Sequence, residues 1–149
     1  MKLLQTKTPF KKVMVIDDNH IDRYLAEIII KRASFAEETV MQDSARSALE
    51  YLASHAMSPA DLPQLIFLDI RMPELDGFAF LELYEKLPEA VQQRCIIMML
   101  TSSLDPEDHD RALNSKFVSQ FLNKPLNRVK LESLLANQPC LDTPVDKVA

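Results

Sequence analysis

An α/β protein is predicted by this 149-residue chain: five βα units forming a doubly wound, parallel, five-stranded sheet with helices on both faces. Three observations carry the prediction. Short apolar runs recur at residues 13–16 (VMVI), 65–68 (LIFL) and 95–100 (CIIMML) without polar alternation, the pattern of strands buried on both faces. Between the runs, apolar residues fall at helical spacing. Strand-like and helix-like stretches then alternate strictly up to residue 136.

Taken in order, run 13–16 is followed by Ile21, Leu25, Ile28 and Ile29, spaced i, i+4, i+7, i+8 on one helical stripe. Residues 39–42 make a weaker second strand. Ser44 is placed to cap a helix whose inward face is Ala45, Ala48, Leu49 and Leu52. Residues 55–63 form a loop before the third strand. Gly77 opens a helix carrying Phe80, Leu81, Tyr84 and Leu87, and Pro88 stops it. After the fourth strand, Asp105 reads as an N-cap with Pro106 in the first helical position. This helix runs to about Asn114 with Ala112 and Leu113 as its apolar surface. Residues 118–123 give the fifth strand, and Asn127 caps a last helix with Leu131, Leu134 and Leu135 inward. Gly77 is the only glycine, so Asn114 is the expected left-handed C-cap in glycine's place. The chain is thus expected to comprise an N-terminal extension (1–11), one domain (12–136) and a tail (137–149) too short for an output domain.

Composition narrows the class. Hydrophobic residues make up 47% and charged residues 26%, an ordinary globular balance. The length can bury a core without disulfide or metal staples. A net charge of −5 with no Lys/Arg block argues against direct nucleic-acid binding. Cys95 and Cys140 show no CxxC spacing, so neither a zinc site nor a redox pair is indicated, though spacing alone leaves a disulfide open. Two isolated thiols fit a reducing cytosol. The start, MKLLQTKTPFKK, lacks the apolar segment of a signal peptide, and no apolar run is long enough to span a bilayer. The expectation is a soluble cytoplasmic protein without membrane insertion.

The strand ends carry the chemistry. Asp17 and Asp18 end the first strand, Asp69 the third, Thr101 and Ser102 the fourth, and Lys124 and Pro125 the fifth. In an open parallel sheet these ends share one edge, and ligands bind there where the strand order reverses. Three carboxylates gathered together repel one another, and at least one has its pKa raised. A divalent cation relieves the repulsion, and hard oxygen ligands with room for water suit Mg2+. A carboxylate beside Mg2+, a hydroxyl and a lysine is equipped for phosphoryl transfer, with Asp69 as nucleophile.

The segments VMVIDDN, LIFLDIRMPELDG, MMLTSS and FLNKP resemble, in order and spacing, the four signature segments of the receiver domain of two-component response regulators. The likeness covers roughly residues 12–136. It implies the flavodoxin-like strand order 2-1-3-4-5. It implies Asp69 as phosphoacceptor and Asp18 as a direct Mg2+ ligand. Asp17 is then the neighbouring acid that acts through water, and the backbone carbonyl of Arg71 is the third protein ligand. Thr101 matches the switch hydroxyl, Lys124 the phosphoryl-contacting lysine and Phe121 the switch aromatic. The Lys124–Pro125 bond is similar to one that is cis in these folds. The chain departs from the family pattern at Ser102, where Ala or Gly is common, and at Arg71, which sets a cation beside the phosphorylation site. Both positions influence phosphoryl lifetime in the family. A glycine usual before the fifth strand is missing, and Phe117 lies near its place. The implied function is a stand-alone receiver of the chemotaxis-regulator-like type, with Mg2+ as cofactor. A sensor histidine kinase or histidine phosphotransfer protein supplies the phosphoryl group. An unknown downstream protein reads the altered surface, or the group passes on in a relay.

Each residue also has an ordinary structural reading. Asp17 and Asp18 could cap the first helix, Asp69 could be a turn acid, Thr101 a strand-end hydroxyl and Lys124 a surface lysine. That account needs five coincidences, each at a strand end. Phe121 reads equally as a core aromatic, and the methionines as core filler. His20, His55 and His109 are expected in solvent, with no partner at metal-ligand spacing. The helix over residues 106–114 buries least and is the element expected to shift. Two other functions fit the fold class. An aspartate-nucleophile phosphatase of haloacid-dehalogenase type wants a second aspartate at position 71, where Arg71 stands. A flavodoxin-like binding module wants a phosphate-cradling loop after the first strand, and no Gly- or Ser/Thr-rich loop is there.

Overall fold

The computed structural model describes residues 8–136. Strands β1 (Phe10–Ile16), β2 (Ala36–Gln42), β3 (Leu65–Leu68), β4 (Ile96–Thr101) and β5 (Val118–Asn123) form one parallel sheet in the order β2-β1-β3-β4-β5. Helices α1 (His20–Arg32), α2 (Ala45–Ser54), α3 (Gly77–Tyr84), α4 (Glu89–Arg94), α5 (Pro106–Leu113) and α6 (Arg128–Ala136) connect and follow them. The predicted class and strand order are both found. The order reverses between β1 and β3, because β2 lies on one side of β1 and all later strands lie on the other. The two strands flanking that reversal are the ones followed by Asp17 and Asp69.

Successive strand residues face opposite sides of the sheet. Met14, Ile16, Ile66, Leu68, Ile97 and Met99 pack with residues of α2 to α5, including Leu52, Phe80, Tyr84, Val91 and Ala112. Val13, Val15, Leu65, Phe67, Met98 and Leu100 pack on the other side with Ala26 and Ile30 of α1 and with Leu131 and Leu134 of α6. Both faces of the central strands are covered, which is why their sequences lack alternation.

The helices depart from expectation in instructive ways. Ile21 and Leu25 of the predicted α1 stripe are 56% and 48% exposed, while Ala26 and Ile30 are buried. The small Ala26 lets the helix sit close to the sheet, and three consecutive isoleucines leave the phase of the stripe undetermined by spacing. Ser44 caps α2, accepting from Ser47 N at 3.0 Å, and Asn127 accepts from Lys130 N at 2.8 Å at the start of α6. Helix α3 ends at Tyr84, ahead of Pro88. Pro88 instead precedes the unpredicted α4, whose sequence EAVQQR buries only Val91, too little for a stripe. The Gln92 side-chain amide of α4 donates to the carbonyls of Tyr84, Glu85 and Leu87, satisfying the open end of α3. Asn114 is right-handed (φ −83°, ψ −8°), against expectation. The chain leaves α5 through a turn in which Ser115 N donates to Ala112 O, and this needs no positive φ. The left-handed residues are Ser34 (φ 51°) and Glu74 (φ 66°). Strand β1 reaches back to Phe10, which pairs with Ala36 and is buried. Residues 1–7 of the expected extension, and the whole expected tail with Cys140, lie outside the described residues. No helix among the described residues is long and apolar enough to cross a membrane.

Candidate functional site

Each central strand delivers a polar residue to the same rim. Asp17 after β1 is 3% exposed, Asp69 after β3 is 6% exposed, and Thr101 at the end of β4 is 0% exposed. Among the described residues the buried polar side chains are Lys12, Asp17, Asp69, Thr101 and Asp108, so three of the five meet here. Burying polar groups is unfavourable unless they are paired, so this concentration calls for partners.

Carboxylate oxygens of Asp17, Asp18 and Asp69 lie within 4.8 Å of one another, with Asp18 on the exposed side. None of the three is spent on capping a helix. Asn19 caps α1, accepting from Ile21 N and Asp22 N at 3.0 Å each. Asp76 caps α3, accepting from Ala79 N at 2.9 Å. Helix capping thus falls on other residues, although Asp17 Oδ1 also accepts from Asn19 N at 3.0 Å in the turn leading into α1.

Lys124 follows β5, and its bond to Pro125 is cis. Its Nζ lies 2.6 Å from Asp17 Oδ2, 2.8 Å from Asp22 Oδ2 and 3.5 Å from Asp69 Oδ2. Burial works against the ammonium charge, but the bonds to Asp17 and Asp22 and the charge of Asp69 outweigh it and raise the lysine pKa. The Asp69 carboxyl is pushed up to about 6, first by burial and then by the Asp17 charge, while Lys124 and the Thr101 hydroxyl pull it down. Three carboxylates therefore share one ammonium, with Asp18 beside them, and the surplus negative charge suits a divalent cation.

The Arg71 guanidinium is taken up by the buried Asp108 of α5. Ser103 Oγ donates to the same carboxylate at 2.7 Å, and Ser103 N donates to Thr101 Oγ1 at 3.1 Å. One buried acid thus ties the loop after β3, the loop after β4 and α5 together. Ser102 is exposed. Phe121 is half-buried, its ring 4.5 Å from that of His109 on α5. His20 and His109 are exposed, and His55 is half-buried, stacked on Tyr51 with ring centroids 4.1 Å apart. Phe117 packs edge-on against Tyr84.

Gly77 does more than open a helix. A Cβ there would stand 2.5 Å from the Asp69 carbonyl oxygen and 3.0 Å from Ile70 Cα. The missing side chain lets α3 start against the backbone of Asp69, where Gly77 N donates to Ile70 O at 2.8 Å.

The sequence pattern does not single out Asp22, Ser103 or Asp108 as site residues. An acid in a helix's first turn reads simply as a complement to the helix dipole, and Asp108 reads as one more charge on a polar helix. Nothing local marks either as a partner of Lys124 or Arg71.

Over residues 13–136 the chain matches the family model of the response regulator receiver domain. It belongs to that family. This receiver domain of two-component signalling is 29% identical over 126 residues to the probable methanogenesis regulatory protein FilR2 of Methanothrix harundinacea, covering 84% of this chain and 78% of that protein. Its structure is similar to a two-component response regulator from Cytophaga hutchinsonii (TM-score 0.79, 28% identity, 88% of this chain and 97% of that one). It is also similar to the receiver domain of the histidine kinase CKI1 from Arabidopsis thaliana complexed with Mg2+ and BeF3− (TM-score 0.68, 25% identity, 83% of this chain and 90% of that one).

Proposed function

We propose that this receiver is a phosphoacceptor switch in which Asp69 takes a phosphoryl group from a phosphohistidine donor with Mg2+ bound. The observation that carries the reading is the gathering of Asp17, Asp18 and Asp69 oxygens within 4.8 Å, with Lys124 Nζ 3.5 Å from Asp69. Asp17, Asp18, Asp69 and the Arg71 backbone carbonyl are the groups that would hold the ion. Bound there, Mg2+ supplies positive charge against the developing charge on the phosphoryl oxygens. The CKI1 receiver, complexed with Mg2+ and BeF3−, lends support by likeness of fold.

In the transfer, an Asp69 carboxylate oxygen attacks phosphorus. The new O–P bond forms as the donor's N–P bond breaks, and the imidazole nitrogen leaves with the electron pair. Lys124 donates to one phosphoryl oxygen and the Thr101 hydroxyl to another. Moving Thr101 inward takes its oxygen from Ser103 N, and Ser103 also holds Asp108 of α5. The α5, β5 and α6 face changes, and Phe121 follows. A downstream protein reads that face, or the group passes on in a relay. The donor is a sensor histidine kinase or histidine phosphotransfer protein in the cytoplasm. Exposed Ile21, Tyr24 and Leu25 on α1, beside Asp22, offer it an apolar seat.

By itself the chain performs only its own phosphorylation and dephosphorylation. A haloacid-dehalogenase-type phosphatase needs an acid two residues past the nucleophile; Arg71 stands there, paired with Asp108. Incubation with acetyl phosphate and Mg2+ is expected to add a single phosphoryl group by intact mass, and none in Asp69→Asn or with EDTA. Steady phosphate release from many organic phosphates would sink the switch reading.

A further inference from the structure

Asp22 touches the site without belonging to any of its motif segments. It lies in the first turn of α1, with its backbone N–H held by Asn19 Oδ1 at 3.0 Å. The helix N-terminus favours a negative charge there. Its Oδ2 stands 2.8 Å from Lys124 Nζ, nearer than the 3.5 Å from that nitrogen to Asp69 Oδ2. We propose that Asp22 is a positioning residue that holds the Lys124 ammonium back from Asp69, so that Lys124 reaches a phosphoryl group only by yielding its bond to Asp22. The proposal rests on the reading of Asp69 as phosphoacceptor.

The physical argument is competition for one cation. An ammonium has three donors, and in this structure Asp17 and Asp22 take the two shortest contacts. Asp22 stands outside the cluster that would hold a divalent ion. Once Asp17 is engaged there, Asp22 is the carboxylate left to oppose transfer of Lys124 to the phosphoryl oxygens. Lys124 has a flexible four-carbon stem. A cavity of about 50 Å³ between Asp22, Leu25, Leu126 and Lys124 gives that stem room to move. Asp22 therefore sets how much free energy the lysine gives up on reaching the anion, and through it the affinity of Asp69 for a phosphoryl-like group.

The test is a double-mutant cycle read by titrating BeF3−, a phosphoryl analogue, into Mg2+-saturated protein by NMR. Variants are Asp22→Asn, Lys124→Gln and the pair, with amide spectra verifying the fold of each. Asp22→Asn is expected to bind roughly fivefold tighter than wild type, and Asp22→Glu to return close to wild type. In the Lys124→Gln background, Asp22→Asn is expected to change affinity by less than about twofold. Equal tightening in both backgrounds would mean that Asp22 repels the anion directly, which overturns the proposal. No tightening in the single variant overturns it as well. A metal-free readout stands beside these: Asp22→Asn should displace the Lys124 Nζ signal, and an unmoved signal counts against the contact. If wild type fails to bind BeF3−, or Asp69→Asn binds it equally, the phosphoacceptor reading itself falls.

Discussion

Asp69 occupies a position that is unfavourable for its charged form. Its native pKa is about 6 against an ordinary 3.8. Between those two values the native state still holds a proton that the unfolded chain has released. The group's contribution to stability therefore falls as pH rises from about 4 to about 6, and stays at its lower level above that. Asp69→Asn should raise the Tm of the metal-free protein at about pH 7.5, with the gain shrinking toward zero near pH 4. Thermal melts by circular dichroism across that range measure it, and a gain independent of pH would contradict the raised pKa. Gly77 is the second residue under constraint. With a Cβ meeting the Asp69 carbonyl, Gly77→Ala should destabilise by about 1–3 kcal/mol in urea unfolding and slow phosphorylation by acetyl phosphate. Asp17, Asp18, Asp69, Thr101 and Lys124 were each legible because every one sits at the end of a strand or within two residues of it. Asp22 and Asp108 were not, because their partners are 102 and 37 residues away in sequence.

Among the elements, α5 is unusual in being anchored mostly by polar contacts. It buries Ala112 and Asp108, while Leu113, expected to be part of its apolar surface, is exposed. Asp108 pairs with Arg71, Arg111 lies over the Phe78 ring, and His109 lies against Phe121. Such anchors can be exchanged one at a time, whereas a buried apolar stripe is lost all together. Removing the carboxylate with Asp108→Ala should speed amide hydrogen exchange in α5 about tenfold, while α2 and α6 stay unchanged. If exchange in α5 stays as in wild type, the Arg71–Asp108 pair does not hold the helix. Helix α1 shows the converse limit of reading elements from pattern. Its existence follows from spacing, but the buried face is chosen by the sheet, which accepts Ala26 more closely than it would accept Leu25.

At the scale of the molecule, two apolar layers enclose the sheet and hold the rim in place. Phe67 lies in the centre of the α1–α6 side, and Phe67→Ala should cost about 3–5 kcal/mol in unfolding free energy. Uniform loss of that size also predicts weaker metal binding only through the unfolded fraction, not through the site. A bound ion acts in the opposite direction. Mg2+ at about 100 times its Kd should stabilise the fold by about 2.7 kcal/mol, seen as a rise in Tm, and Asp18→Asn should remove most of that rise. A Tm that ignores Mg2+ in wild type would remove the metal from the proposed mechanism.

The sequence by itself determined the α/β class, the five strands and the residues at their ends. These are local matters: the period of apolar side chains and the residue that follows each run. Tertiary structure alone decided which face of α1 is buried, that α4 forms to close α3, and that Lys124 is shared with Asp22 while Arg71 is claimed by Asp108. Those outcomes depend on distances between remote segments, and no local pattern encodes the separation of two charges in space.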